Sequence, residues 1–301
     1  MTNISVKCLL SALVFVAAST AWSATPEESY LASRDRHIQA LKKTEKSNSE
    51  DAQTKAYESA IADLEKQMQA IIGPFQMKGV PEKGKLSLEA LSDGDEGYGL
   101  LDGMVFSNES TGTGALVTTP DLFKRWLVAH RTWWKNKNIP QKADDAVKTD
   151  TFYTQAISAG AEVLRYADLP VVKPENATSV YATLTASTQD TVPLVPDEMY
   201  ITVQQDKRVI IIKANVESKN NSIPVCETIL KDFEKARDAG AAAREKSGKK
   251  QTEKEFDAEN KAEEASSLKF RQCYASKAPD EAFFKPVLAQ AQALLDSLPA
   301  K

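Results

Sequence analysis

The stretch from Lys85 to Trp134 constrains the fold more than any other part of this chain. It sets strand, turn, strand, loop, strand and capped helix in succession with few residues to spare. Leu86, Leu88 and Ala90 alternate with Lys85, Ser87 and Glu89, the two-residue period of a half-buried strand. Ser92 to Gly97 (SDGDEG) is dense in turn formers, and Tyr98 to Ser107 returns as a second apolar segment. Asn108 to Gly114 reads as a polar loop and Ala115 to Thr118 as a short third strand. Thr119, Pro120 and Asp121 then open a helix as N-cap, first helical residue and first-turn acid.

Helical spacing precedes this centre. Leu31, Ile38 and Leu41 share one face of a first helix, which Ser47-Asn48-Ser49 breaks. Tyr57, Ala60, Ile61, Leu64, Met68, Ile71 and Ile72 mark a second helix that Gly73-Pro74 ends. His37 lies among Arg34, Asp35 and Arg36 and reads as solvated, with nothing near it in sequence to orient it as a base or ligand.

A second β region follows a polar connection at Lys135 to Lys148 and a short helix from Thr149 or Asp150 to Gly160. Glu162 to Tyr166 is a strand candidate, and Pro170 and Pro174 bracket an extended segment that no central strand accommodates. Val180, Ala182, Leu184 and Ala186 alternate with polar residues. Met199 to Val203 and Val209 to Ala214 flank Gln205-Asp206-Lys207, a hairpin turn without glycine. Val209 to Ile212 (VIII) is apolar on both faces, so that strand is expected to be central or covered. Everything from Ser222 onward reads as helix, with a strong apolar stripe at Phe284, Val287, Leu288, Ala291, Leu294, Leu295 and Leu298.

Runs of strands bounded by runs of helices imply an α+β fold, a mixed or antiparallel sheet flanked by N-terminal and C-terminal helical hairpins. The chain divides into a leader (1–24), an N-terminal helical hairpin (25–74) and a β-rich segment with the capped aromatic helix (75–148). A second β segment (149–218) is expected to pack with the first as one body, and C-terminal helices with a disulfide-clamped hairpin complete the chain (219–301).

The leader places Lys7 before the apolar run Cys8 to Ala18, with small residues near Ala21, Ser23 and Ala24, the pattern of a secretory signal peptide. Cleavage is expected after Ser23, with Ala21 and Ala24 as alternatives. No other stretch is apolar enough to cross a bilayer, so no transmembrane span is expected after signal removal. The expected compartment is the periplasm, or the exterior of the cell. With 38 basic and 42 acidic residues neither sign dominates, which argues against a nucleic-acid partner.

Four side chains of the capped helix form the sharpest candidate site. Trp126, His130, Trp133 and Trp134 lie at i, i+4, i+7 and i+8 and share a face. One reading is a ligand-binding platform of indoles with His130 exchanging a proton; the other is an amphipathic helix packing its heavy side on the sheet. His130 with Asp121 or Asp102 would be the catalytic set of an envelope hydrolase, the alternative function. The acidic loop Asp93 to Glu96 fails the calcium-loop template, no histidine–cysteine spacing suits zinc, and no metal or cofactor is expected.

Cys226 and Cys273 are expected to form a disulfide in an oxidising compartment. Counted from Gly248, the two cysteines stand 22 residues back and 25 on, arms of ~33 and ~38 Å that return to nearly the same height. Cys226, Ile229, Leu230, Phe233, Ala236, Gly240 and Ala243 mark the expected inner face of one helix; Phe256, Ala262, Ala265, Leu268 and Cys273 continue on the other. Beyond the bond large apolar groups are scarce, so the tip, about Ala239 to Glu264, is expected to project as a partner-contact arm. The function these features suggest is binding or assembly in the cell envelope, with a protein or small-molecule partner, and not turnover.

Overall fold

Thr25 caps the first helix, α1 (Pro26–Glu45): its hydroxyl accepts from the Glu28 amide, and the Glu28 carboxylate accepts from the Thr25 amide. Ser49 caps α2 (Glu50–Ile72), whose buried stripe is Ala60, Leu64, Met68 and Ile72 at every fourth residue. Gly73 ends α2 at φ 69°, a backbone state that residues with a Cβ rarely adopt. The computed structural model describes residues 24–46, 49–87, 101–126, 128, 163–187, 196–216 and 221–299. Leu88, Ala90, the Ser92 to Gly97 turn, the 135–148 connection, the 149–160 helix and residues 1–23 of the leader lie outside the described residues.

Seven strands form one antiparallel sheet. They are β1 (Lys85–Leu86), β2 (Met104–Asn108), β3 (Thr113–Thr118), β4 (Val163–Asp168), β5 (Ser179–Ser187), β6 (Glu198–Gln204) and β7 (Val209–Asn215). Their spatial order is β1-β2-β3-β7-β6-β5-β4. The apolar run Val209 to Ile212 is thus in the middle strand, paired on one side with β3 (Thr118 opposite Val209) and on the other with β6 (Gln204 opposite Val209). The β3–β7 pairing joins the two β regions of the sequence in a single sheet. In the glycine-free β6–β7 turn, the Gln205 amide donates to the Arg208 carbonyl at 2.8 Å. Arg208 then reaches back to the end of α2, its Nε donating to the Ile72 carbonyl at 2.7 Å and its Nη2 to the Pro74 carbonyl at 2.8 Å. Both edges are of kinds that resist further pairing: β1 is two residues long, and β4 is bulged between Arg165 and Ala167.

One face of the sheet carries the main core. Phe106, Val117, Ile210, Ile212, Ile201, Val203 and Leu184 point to it, and they are buried with Leu64 and Met68 of α2. The same core takes Cys226 and Leu230 of α4 (Pro224–Ser247), Phe270 and Tyr274 of α5 (Glu253–Lys277), and Phe284, Val287, Ala291 and Leu295 of α6 (Phe284–Asp296). The helix opened by Thr119 (α3, residues 120–126) lies on the opposite face. Thr119 caps it as expected, its Oγ1 accepting from the Leu122 amide at 3.3 Å. Among the described residues no helix is long and apolar enough to cross a membrane.

Candidate interaction surface

Of the four residues in the aromatic candidate, Trp126 alone belongs to the described set; His130, Trp133 and Trp134 lie outside it. Trp126 is buried beside Phe123, ring centroids 5.6 Å apart, in a small core with Leu101 and Val209. The two acids offered as partners for His130 are both engaged elsewhere. Asp121 accepts from Arg125 Nε at 2.9 Å, one turn along the same helix. Asp102 is buried, and its two carboxylate oxygens accept from the Tyr30 hydroxyl at 3.2 Å and from Arg34 Nη1 at 2.5 Å. Burial pushes the Asp102 carboxyl up from its ordinary value, and Arg34 and Tyr30 work against that rise. The group of three clamps α1 onto the segment that leads into β2.

His37 is not the unsupported residue that its sequence neighbours suggest. Its Nε2 stands 2.8 Å from Asp63 Oδ2, on the facing helix of the hairpin. The same oxygen accepts from the Ser33 hydroxyl at 3.2 Å and from Gln67 Nε2 at 2.9 Å. The His37 bond is the leading cause that holds the Asp63 carboxyl below its usual range. Tyr30, Ser33, Arg34 and His37 follow one face of α1, so two polar clusters tie that helix to its surroundings. Ser33 donates to the aspartate and not to the imidazole, so the three do not form a serine–histidine relay. Among the described residues no group of three His, Cys, Asp or Glu side chains is placed to hold a metal ion.

The C-terminal hairpin departs from the body. Gly248 ends α4 in the left-handed conformation at φ 64°, and Thr252 opens α5 with a reciprocal box to Glu255. Cys226 and Cys273 are bonded, with α-carbons 5.7 Å apart. On either side of the bond an aromatic group anchors α5 to the edge strand: Tyr166 of β4 meets Phe270 edge-on at 5.6 Å and Tyr274 at 5.0 Å, and Tyr274 lies 6.2 Å from Phe283. Burial raises the Tyr166 and Tyr274 hydroxyls far above their ordinary value, so both stay neutral.

From Lys231 to Lys269 no residue is buried. Past Phe233 the inner face differs from the one the sequence suggested. Ala236 and Ala243 are exposed, while Gly240 and Arg244 are half-buried, and Arg244 meets Glu259 of α5 at 3.5 Å. On α5, Phe256, Ala262 and Ala265 are exposed as well. The seam between the helices therefore turns polar towards the tip. Seventeen residues of α4 lie beyond Leu230, a projection of about 25 Å. Basic and acidic residues balance along it, and Phe256 is the large apolar side chain it exposes, at 54%.

No protein-family model, no curated protein and no solved structure matches this chain.

Proposed function

We propose that this protein is an exported, non-catalytic binding or assembly protein that meets a partner in the periplasm, or outside the cell, through the α4–α5 arm. One observation carries the reading: two long helices extend past Leu230 and Phe270, the last residues of the hairpin that the core buries, without burying a single further side chain. Ordering a residue costs about 1–2 kcal/mol of backbone entropy, which a core normally offsets. Here intrahelical bonds, a thin half-buried seam between the two helices and ion pairs of the kind that contribute little oppose that cost. A surface presented for contact accounts for the arrangement better than a core element does. Phe256 is the natural anchor, since truncation of a few large side chains dominates most interfaces. The leader and the disulfide support an oxidising compartment.

The hydrolase reading has less support, because Asp102 and Asp121 already have cationic partners. The test is site-specific photo-cross-linking in the native cells. A cross-linker at Phe256 is expected to capture a discrete partner that one at Val172, exposed on the body, does not. Identical results at the two positions would remove the arm from the argument.

A further inference from the structure

The two sides of the arm differ in charge. Residues 231–250, the outer part of α4 and the turn after it, carry seven basic and four acidic side chains. Residues 251–269, which lead into and along α5, carry three basic and six acidic. The arm is neutral as a whole, with one basic flank and one acidic flank. Such a division would serve the hairpin itself if the opposite charges met across the seam. They do so once: among the described residues, Arg244 with Glu259 at 3.5 Å is the one ion pair that joins α4 to α5. Lys246 and Lys250 on the first side, and Asp257, Glu263 and Glu264 on the second, are exposed and take part in no ion pair. Their charges are therefore turned outward.

Phe256 sits between the two flanks. It precedes Glu259 by three residues on α5, so it lies on the side of that helix next to the seam, and it is exposed. Heights along the arm follow from two fixed points, the disulfide and the Arg244–Glu259 pair. Counted from them, Arg237 stands about level with Glu264, and Lys246 with Asp257.

We propose that the partner of the arm is a second copy of this chain, bound arm to arm. The inference rests on the partner-contact role proposed above and names the partner. A two-fold interface sets one patch against itself, so that patch must complement itself. With the two-fold axis running along the arms, α4 of each copy lies against α5 of the other. Phe256 of one copy then meets Phe256 of the other, and each basic flank faces an acidic flank at equal height. A partner of a single strong charge gains little from a surface whose two signs cancel. A second copy matches both flanks at once. Phe256 supplies the apolar centre and the outward charges set register and orientation, the division of labour found between anchors and rim charges in interfaces generally. The patch is small, so the pairing is weak and reversible.

The test is sedimentation equilibrium of the mature full chain, at concentrations up to about 0.5 mM and at about 0.05 M and about 0.5 M salt. The native chain is expected to dimerise reversibly, and more weakly at the higher salt. Phe256→Ser is expected to weaken the dimer by about tenfold or more, and Val172→Ser, on the body, to leave it unchanged. Reversing either flank, by Arg237→Glu with Lys246→Glu or by Asp257→Lys with Glu264→Lys, is expected to weaken it by about tenfold as well. Mixing the two reversed chains is expected to restore pairing, because each flank again meets its opposite. Helix content from circular dichroism and an intact disulfide show that each variant has folded. Three results would overturn the proposal: a native chain that stays monomeric, a folded Phe256→Ser chain that dimerises as tightly as the native one, or reversed chains that do not pair on mixing. A monomeric native chain that still loses an in-cell cross-link when the tip is removed would refute the second copy as partner while keeping the arm as the contact surface.

Discussion

Cys226 and Cys273 stand 47 residues apart in the chain and are joined at the base of the α4–α5 hairpin, each within about one turn of the outermost residue that its helix buries in the core, Leu230 and Phe270. The core reaches one turn past the pair, to Leu230 and Phe270, and the arm begins there. The bond closes a long loop, and the chain-entropy model assigns it about 4 kcal/mol. Replacing both cysteines by serine should lower the stability of the mature protein by roughly that amount in urea denaturation. Thiol titration of the unreduced, denatured mature chain should find no reactive thiol.

Trp126 fills the second face of the sheet with Phe123, Leu101 and Val209. Trp126→Ala should therefore destabilise by about 3–5 kcal/mol, as large-to-small changes in a core do. Near-native thermal stability of the variant would return this side chain to the list of binding platforms.

Asp102 presents its carboxylate to Arg34 and Tyr30. Asp102→Asn leaves the Arg34 guanidinium without its counter-charge. A cost of about 3 kcal/mol is expected, at the low end for a broken buried pair because Arg34 keeps some solvent contact. Equilibrium unfolding measures it, and the double variant with Arg34→Met should recover part of the loss.

Asp63 gives a pH signature. Its carboxyl is held below the usual aspartate value, first by the His37 bond, against the opposing effect of burial, and then by Gln67 and Ser33. A depressed folded value means that the ionised form stabilises the fold. That stability is present above the unfolded value of about 3.9 and is lost as pH falls through the lower folded value. Asp63 is 47% exposed, so its contribution is discounted to about 0.5–1 kcal/mol. Asp63→Asn should show that deficit at pH 7 in urea unfolding, and the deficit should shrink as the pH is taken below 3.

How much of this was legible in the sequence depends on the range of each contact. Strand alternation and helix stripes repeat within a few residues, so the middle position of Val209 to Ile212, the cap at Thr119 and the stripe of α6 could all be read directly. The disulfide was legible because two helices of nearly equal length bring their ends together. The polar clusters were not. Arg34 and Asp102 are 68 residues apart and His37 and Asp63 are 26 apart, and no local period signals a single charged pair across elements. The inner face of the arm was misread past Phe233 for a related reason. Once apolar residues run out, their spacing no longer says which side turns inward, and the long stem of Arg244 fills a place that Ala236 and Ala243 were expected to occupy.

The partner-contact role of the arm is tested most directly by removing its tip. Asp238 and Ala265 stand at nearly matching heights, since Arg244 meets Glu259 and Cys226 meets Cys273. Joining Asp238 to Ala265 through a short glycine turn deletes residues 239–264 and keeps both cysteines. The measurement is in-cell cross-linking of the shortened chain, compared with the native one at equal abundance. The expected result is a normally folded, disulfide-bonded protein that has lost its cross-linked partner; a shortened chain that captures the same partner at the same yield would contradict the account.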